Sequence, residues 1–291
     1  MTAFDTVVMV DWSAAARAPR RPRPDAIFAA VARGGQVAPA EYLGHRLDAE
    51  GWIAALIDDE RRAGRRLLVG FDFPFGYPRG FSRALVGRSD PFVLWDWLDA
   101  RIVDTPGANN RFEVAGAINA HFPGIGPFWG NGTPREVPHL PRKGRARTTN
   151  PFPERRAIEE RHKGAFTLWQ LSGAGAVGSQ TVMGLPVLAR LRRRFGTNLS
   201  VWPFEAPDAG VVLAEVWPSL LAPVVAAELA AGGGIKDARQ VEVLARALSA
   251  LTPDQMARVM DVSTVHVAAE EGWILGSGHE ALLIGAHAAS R

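Results

Sequence analysis

Acidic residues that close apolar runs are the chemically suggestive feature of this chain. Asp11 ends the run TVVMVD, Asp72 ends LLVGFD just before Phe73 and Pro74, and Glu215 lies in VVLAEVWP. A fourth acid comes late, either Asp237 in IKDARQVEVL or Glu280 in GHEALLIG. A carboxylate at the exit of a buried strand is costly to desolvate unless something pairs with it. Several such exits on one sheet edge gather negative charge, and a divalent cation with oxygen ligands relieves it. The residue types therefore point to metal-assisted phosphoryl chemistry.

The elements that must position these acids read as follows. Residues 6–12 form a buried strand, 26–32 a second strand before a Gly34-Gly35 turn, and the stretch around Glu41, Tyr42 and Leu43 a short third. Residues 48–63 read as an amphipathic helix with Asp48 as N-cap and Ile53, Leu56 and Ile57 on one face. The apolar run 67–72 follows as a fourth strand. The order β-β-β-α-β places the first and fourth strands side by side and parallel. Catalytic groups of open sheets gather at strand C-terminal ends. Asp11 and Asp72 would stand there roughly 4–7 Å apart, close enough to repel and to raise a pKa. Mg²⁺ or Mn²⁺ between them would remove the repulsion. Two such ions about 4 Å apart would activate a water and stabilise the leaving oxygen of a phosphodiester.

The middle of the chain is different. Residues 81–180 are rich in Pro, Gly, Trp and Arg and weakly periodic, with pieces such as PFVLWDWL and FPGIGPFWGNGTP. Long irregular stretches of this kind are functional insertions when aromatic burial offsets the entropy of ordering them. The expected organisation is a core of residues 1–80 and 181–291, with 81–180 inserted as one wall of a cleft. Regularity returns with a helix at 180–195, interrupted at Pro186, a strand at 211–216, helices at 219–231 and 238–250, a short helix from Pro253 and a last helix at 279–289.

Composition bounds the function. The chain has 291 residues, 47% hydrophobic and 22% charged, with a formal net charge of +3, ordinary values for a globular α/β protein. No apolar run has the length of a membrane span, so no membrane partner is expected. The start has no basic n-region and reads as a strand. Cysteine is absent, which excludes disulfides and thiolate metal sites and fits a cytoplasmic home. Local basic runs at Arg17–Arg23 and Arg135–Arg147 read either as solvated loops or as phosphate contacts.

The motifs Val10-Asp11-Trp12-Ser13, Gly70-Phe71-Asp72-Phe73-Pro74-Phe75-Gly76 and Glu215-Val216-Trp217-Pro218, in this order of elements, resemble a family of uncharacterised predicted nucleases with the RNase H-like fold. The resemblance covers the flanks, about 1–80 and 200–291. It implies a mixed five-stranded sheet flanked by helices, and two-metal phosphodiester hydrolysis with Asp11, Asp72 and Glu215 in the family's acidic positions. The family's terminal helix opens with Asp, often two. Here the matching stretch is GHEALLIGAHAA, with Glu280 in place of the Asp and Leu283 where a second would lie. The implied catalytic set is Asp11, Asp72, Glu215 and Glu280, the same four holding Mg²⁺ or Mn²⁺, with Asp237 in reserve; Asp237 also reads as a simple helix cap.

Other signals point elsewhere. Gly173-Ala174-Gly175-Ala176-Val177-Gly178 satisfies GxGxxG between FTLWQL, a strand by pattern, and a helix, the context of a dinucleotide site. No acid follows at the usual spacing of about 20 residues; the loop's N–H groups would instead approach a phosphate, with Ser172, Ser179 and Gln180 alongside. His121, His139, His162 and His279 show no metal-binding spacing, and Ser13 lies in no nucleophile elbow. Trp95, Trp97, Trp129 and Trp169 read as base-stacking groups or, more readily, as buried core. Arg142, Lys143, Arg145 and Arg147 would position phosphates. Three functions are thus open: a metal-dependent phosphodiesterase or nuclease acting on nucleic acid, a nucleotide-binding protein of cofactor biosynthesis using Gly173, Gly175 and Gly178, and a non-catalytic RNase H-like scaffold.

Overall fold

Three apolar runs, TVVMVD, LLVGF and VVLAE, are buried along their whole length and lie side by side, as strands covered on both faces must be. The computed structural model describes residues 4–173 and 175–290. In chain order its elements are β1 (Thr6–Asp11), β2 (Phe28–Arg33), β3 (Gln36–Val37), β4 (Glu41–Tyr42), α1 (Arg46–Arg62), β5 (Leu67–Phe71), α2 (Phe81–Val86), α3 (Pro91–Asp99), β6 (Asp104–Thr105), β7 (Ala108–Asn109), α4 (Arg111–Asn119), α5 (Ala157–Arg161), α6 (Gly178–Phe195), β8 (Leu199–Trp202), β9 (Val211–Glu215), α7 (Ala222–Gly232), α8 (Lys236–Ser249), α9 (Pro253–Val259), α10 (Ala268–Glu271) and α11 (Glu280–Ala289).

The chain divides into two compact units. One holds the segments up to Asp72, Arg194–Thr264 and from Ile274 onward; the other holds Phe73–Arg193 with Val265–Trp273. The first is built on a seven-stranded mixed sheet in the order β3-β2-β1-β5-β9-β8, with β4 also paired to β2. β2 runs antiparallel to β1, whereas β5 is parallel to β1, β9 to β5 and β8 to β9. The expected five strands become seven because the outer edge of β2 is shared by two two-residue strands, β3 and β4, and because β8 extends the sheet beyond β9.

Register decides which side chains share a face. Thr6, Val8 and Val10 align with Arg33, Val31 and Ala29. On that face α1 brings Glu60, fully buried, to Thr6 Oγ1 (2.7 Å), Arg33 Nη2 (2.7 Å) and Arg65 Nε (2.6 Å). Val7, Met9 and Asp11 face the other way with Ala32, Ala30 and Phe28. The alanines leave room there for α8, which lies close against β1 and β2 and buries Val241, Leu244, Ala245 and Leu248. α1 begins earlier than its sequence suggests. His45 is the N-cap, and Asp48, expected in that role, is the third helical residue and accepts from His45 N (3.2 Å), a reciprocal capping box.

The second unit is ordered by aromatic packing. Tyr77, Phe81, Phe128, Phe152 and Trp169 form one cluster with ring centroids 4.8–6.1 Å apart, and Trp95 donates to Phe75 O (2.8 Å). Trp95 and Trp169 are therefore core. The distant segment Val265–Trp273 joins through Glu271, whose buried carboxylate accepts from Arg79 N and Ala157 N while its carbonyl accepts from Arg156. Gly76 permits this: a Cβ there would lie 2.5 Å from Glu271 O. α6 runs through Pro186 without interruption. Val182, Met183, Leu185, Val187 and Leu188 are all buried around it, and such packing outweighs the roughly 3 kcal/mol that proline costs inside a helix. Among the described residues no single helix is long and apolar enough to cross a membrane.

Glu60 yields a stability test. Burial pushes its carboxyl up, and the bonds from Arg65, Thr6 and Arg33 overcome this and hold it at about 2. An acid lowered on folding contributes stability above its ordinary range and loses it as pH falls towards the folded value. Glu60→Gln is expected to lower the unfolding free energy at pH 7 by about 2–3 kcal/mol. In urea titrations the variant and the parent should converge as the pH approaches 2.

Candidate functional site

Asp11 is the last residue of β1 and Asp72 follows the last residue of β5. Because Val10 pairs with Phe71 in a parallel ladder, the next residue on each strand stands beside the other and on the same face. The two carboxyls are within hydrogen-bond reach of each other. Trp12 N donates to Asp72 Oδ1 (2.6 Å), and Asp72 N donates to Val10 O (3.2 Å), so the backbone fixes the pair. Asp11 is only 8% exposed.

The third acid comes from α8, the helix that covers this face. Asp237 lies in its first turn but does not cap it; the N-cap is Ile235. Its Oδ2 accepts instead from Asp25 N (2.7 Å). Asp25, with φ +63°, occupies the left-handed region, which Asp tolerates better than most residues. Its carbonyl accepts from Ser13 Oγ (2.8 Å), two residues past Asp11. Both ends of the loop between β1 and β2 are thereby tied to the acids.

Burial, then the Asp72 charge, then those of Asp237 and Asp25 push Asp11 well above the usual carboxylate range. Burial pushes Asp72 to about 6, against the bonds from Asp11 and Trp12 N. Asp237 is raised by burial and by the Asp25 charge, against the hydrogen bond it accepts from Asp25 N. Asp11 and Asp72 thus share a proton that an approaching cation would displace.

Two further acids were expected at the site. Glu215 pairs with Phe71, which pairs with Val10. It is one step out of phase with Asp11 and Asp72, so its side chain is directed to the opposite face. Its carbonyl accepts from Leu275 N (2.9 Å). Glu280, the first residue of α11, accepts from Gly278 N (3.1 Å) and closes its own entry turn. Asp237, the reserve, is the acid whose charge acts on both Asp11 and Asp72. Asp25 was not anticipated; it lies at the end of an Arg/Pro loop, and no motif marks it. Among the described residues no three His, Asp or Glu side chains are gathered tightly enough to hold a metal ion as they stand.

No family model, curated protein or solved structure matches the chain. The site must therefore be read from its own geometry.

The glycine-rich loop has a packing role. Residues 166–171 form no strand, only a single bridge between Trp129 and Gln170, so the strand that a dinucleotide site requires is missing. Gly178 opens α6, and a Cβ there would lie 2.2 Å from Leu168 O; one at Gly175 would lie 2.2 Å from Phe166. Ala174 lies outside the described residues, and the Gly173 position would meet only the Gln170 side chain, at 3.1 Å. Ser172 and Ser179 donate to Gly130 O and Leu171 O. Arg142 and Arg147, expected to face phosphates, are held by Glu136, Glu154 and nearby carbonyls, while Lys143 and Arg145 are exposed.

The raised acids give a signature opposite to that of Glu60. An acid whose pKa rises on folding keeps its proton in the native state, so stability is full below the ordinary range and falls as pH climbs towards 6. Asp72→Asn is expected to raise the unfolding free energy at pH 7.5 by about 1–2 kcal/mol, the scale of one pKa unit. At pH 4 it should leave thermal unfolding unchanged.

Proposed function

We propose that this chain is an RNase H-like, metal-dependent phosphodiesterase acting on nucleic acid, with Asp11 and Asp72 as the principal metal ligands and Asp237 as the third acid. The observation that carries this reading is the Asp11–Asp72 pair, side by side at the exits of two adjacent parallel strands, both raised by burial and Asp11 also by the Asp72 charge. The strand order β3-β2-β1-β5-β9, with β2 alone antiparallel to β1 in the sheet's centre, supports the RNase H-like resemblance. So do the motifs around Asp11 and Asp72.

The donor set fits Mg²⁺ or Mn²⁺. Mg²⁺ is commonly held by one or two carboxylates, its other positions filled by water and by substrate phosphate oxygens. Two adjacent carboxylates are what the site offers, and the proton they share marks a place where positive charge is favoured. A bound metal would supply Lewis-acid activation of a phosphodiester and of the attacking water. The chain's own part is to hold Asp11 and Asp72 at fixed spacing through Trp12 N, and to hold Asp237 through Asp25 N. Asp237, half-buried and raised, is placed to accept a proton at the edge of the pair.

One observation favours the non-catalytic scaffold instead: the acids are not drawn together tightly enough to form a three-ligand cage. Mn²⁺ binding separates the two. Followed by calorimetry or by the Mn²⁺ resonance signal, the parent chain is expected to bind Mn²⁺. Asp11→Asn and Asp72→Asn should each weaken binding at least about tenfold, and Asp237→Asn by less. Glu280→Gln should bind as the parent does. Mn²⁺-dependent cleavage of a single-stranded oligonucleotide should disappear with Asp11→Asn. A parent chain that binds no Mn²⁺, or binds it equally well without Asp11, would leave the scaffold.

A further inference from the structure

Between Asp11 and Asp25 the chain carries Arg17, Arg20, Arg21 and Arg23, with Pro19, Pro22 and Pro24 between and after them and no acid at all. All four arginines are exposed. Among the described residues none of the four makes an ion pair or a hydrogen bond. Many arginines elsewhere are held: Arg33 and Arg65 by Glu60, Arg156 by Glu159, and Arg190 and Arg193 by Asp99. Others without such a partner, Arg83, Arg155 and Arg246 among them, are spread along the chain, whereas here four fall within seven residues.

The loop is also fixed in place. Buried Arg46 donates to Ser13 O and Ala15 O (2.7 Å each), and the Tyr42 hydroxyl donates to Pro19 O. Ser13 Oγ donates to Asp25 O, and Asp25 N to Asp237. The space left beneath, lined by Ser13, Arg17, Ala26, His45 and Arg46 among others, is only about 10 Å³, at or below what one water needs. Prolines restrict what remains of the backbone. A solvated charged loop would need none of these ties. Fixing the backbone in advance removes the ordering entropy that a loop otherwise loses on binding.

The loop leaves the sheet at Asp11 and returns at Asp25, which holds Asp237. Its arginines thus lie on the segment that starts at Asp11 and ends at the residue holding Asp237. A small phosphodiester carries one charge and could use only the acids. A polymer carries a charge on every nucleotide, so one phosphate can sit at the acids while its neighbours meet the arginines. Guanidinium groups bind phosphate in bidentate fashion, which favours Arg over Lys in this role.

We propose that the Arg17–Arg23 loop grips the sugar–phosphate backbone of a nucleic-acid strand and makes the site select a polymer over a small phosphodiester. The consequence for selectivity rests on the phosphodiesterase reading, but the grip is measurable without hydrolysis.

The test uses the full chain in EDTA and a fluorescently labelled single-stranded oligonucleotide of mixed sequence, over a salt series from about 50 to 200 mM. The parent chain is expected to bind, and replacing all four arginines with Gln should weaken binding at least tenfold. The slope of log K against log salt should become shallower by about 2–3, at roughly 0.7 for each phosphate contact on a single strand. Replacing the four with Lys should keep most of the slope. Single Arg20→Gln and Arg21→Gln variants, each expected to remove roughly 0.7 of slope, carry the test should the fourfold variant not fold. A parent chain that does not bind, variants with unchanged slopes, or displacement by polyglutamate as effective as by unlabelled oligonucleotide would overturn the grip. Binding that follows these expectations without any Mn²⁺-dependent cleavage would keep the grip and remove the phosphodiesterase reading.

Discussion

The parallel pairing of β1 with β5 is the constraint on which the site depends. Thr6 opposite Leu67 and Val10 opposite Phe71 leave Asp11 and Asp72 no choice but to emerge together. The arrangement opposes folding at neutral pH, since two buried carboxyls this close hold a proton that either would release in water. The rest of the first unit stabilises the sheet enough to tolerate that. Runs buried on both faces, α1 on one side and α8 on the other, and the Glu60 cluster beneath α1 hold the ladder in place. A locally unfavourable arrangement kept by a stable frame is a common mark of a functional site.

How much of this was legible in the residues varies with how local the cause is. The apolar runs ending at Asp11, Asp72 and Glu215 are strands within a residue of where composition places them, because burial on both faces leaves an unmistakable run. Which face an acid occupies is not local. Glu215 ends its strand as Asp11 does, yet a one-residue phase difference set by hydrogen bonds to β5 sends it the other way. Asp237 and Glu280 both open helices. Only the packing of α8 on the face of Met9 and Asp11 distinguishes them, through contacts more than two hundred residues apart in sequence. The short strand β4 is where the sequence places it, but β3, the edge strand β8, the helix continuing through Pro186 and the recruitment of Val265–Trp273 to the second unit all escape for the same reason: tertiary packing decides them against weak local preference.

Two kinds of charge meet in the first unit, and they are treated differently. Buried charge is compensated, as at Glu60. The carboxyls at the exits of β1 and β5 have one another and the Trp12 N–H but no cation against them, and the arginines of the neighbouring loop have no partner among the described residues. The anionic and cationic groups lie close in the chain but form no ion pair with one another: the loop is tied down by Arg46, Tyr42 and Ser13, and its arginines are exposed.

The ladder between Val10 and Phe71 also bears on how this chain can change its length. Adding or removing one residue within β1 or β5 would swing an aspartate through the sheet into the layer occupied by Ile53 and Ile57 of α1. No compensating substitution nearby would bring it back. Indels are therefore barred from the two strands, whereas a change of length between Phe73 and Arg193 falls outside the ladder and leaves the phase of the two acids as it is.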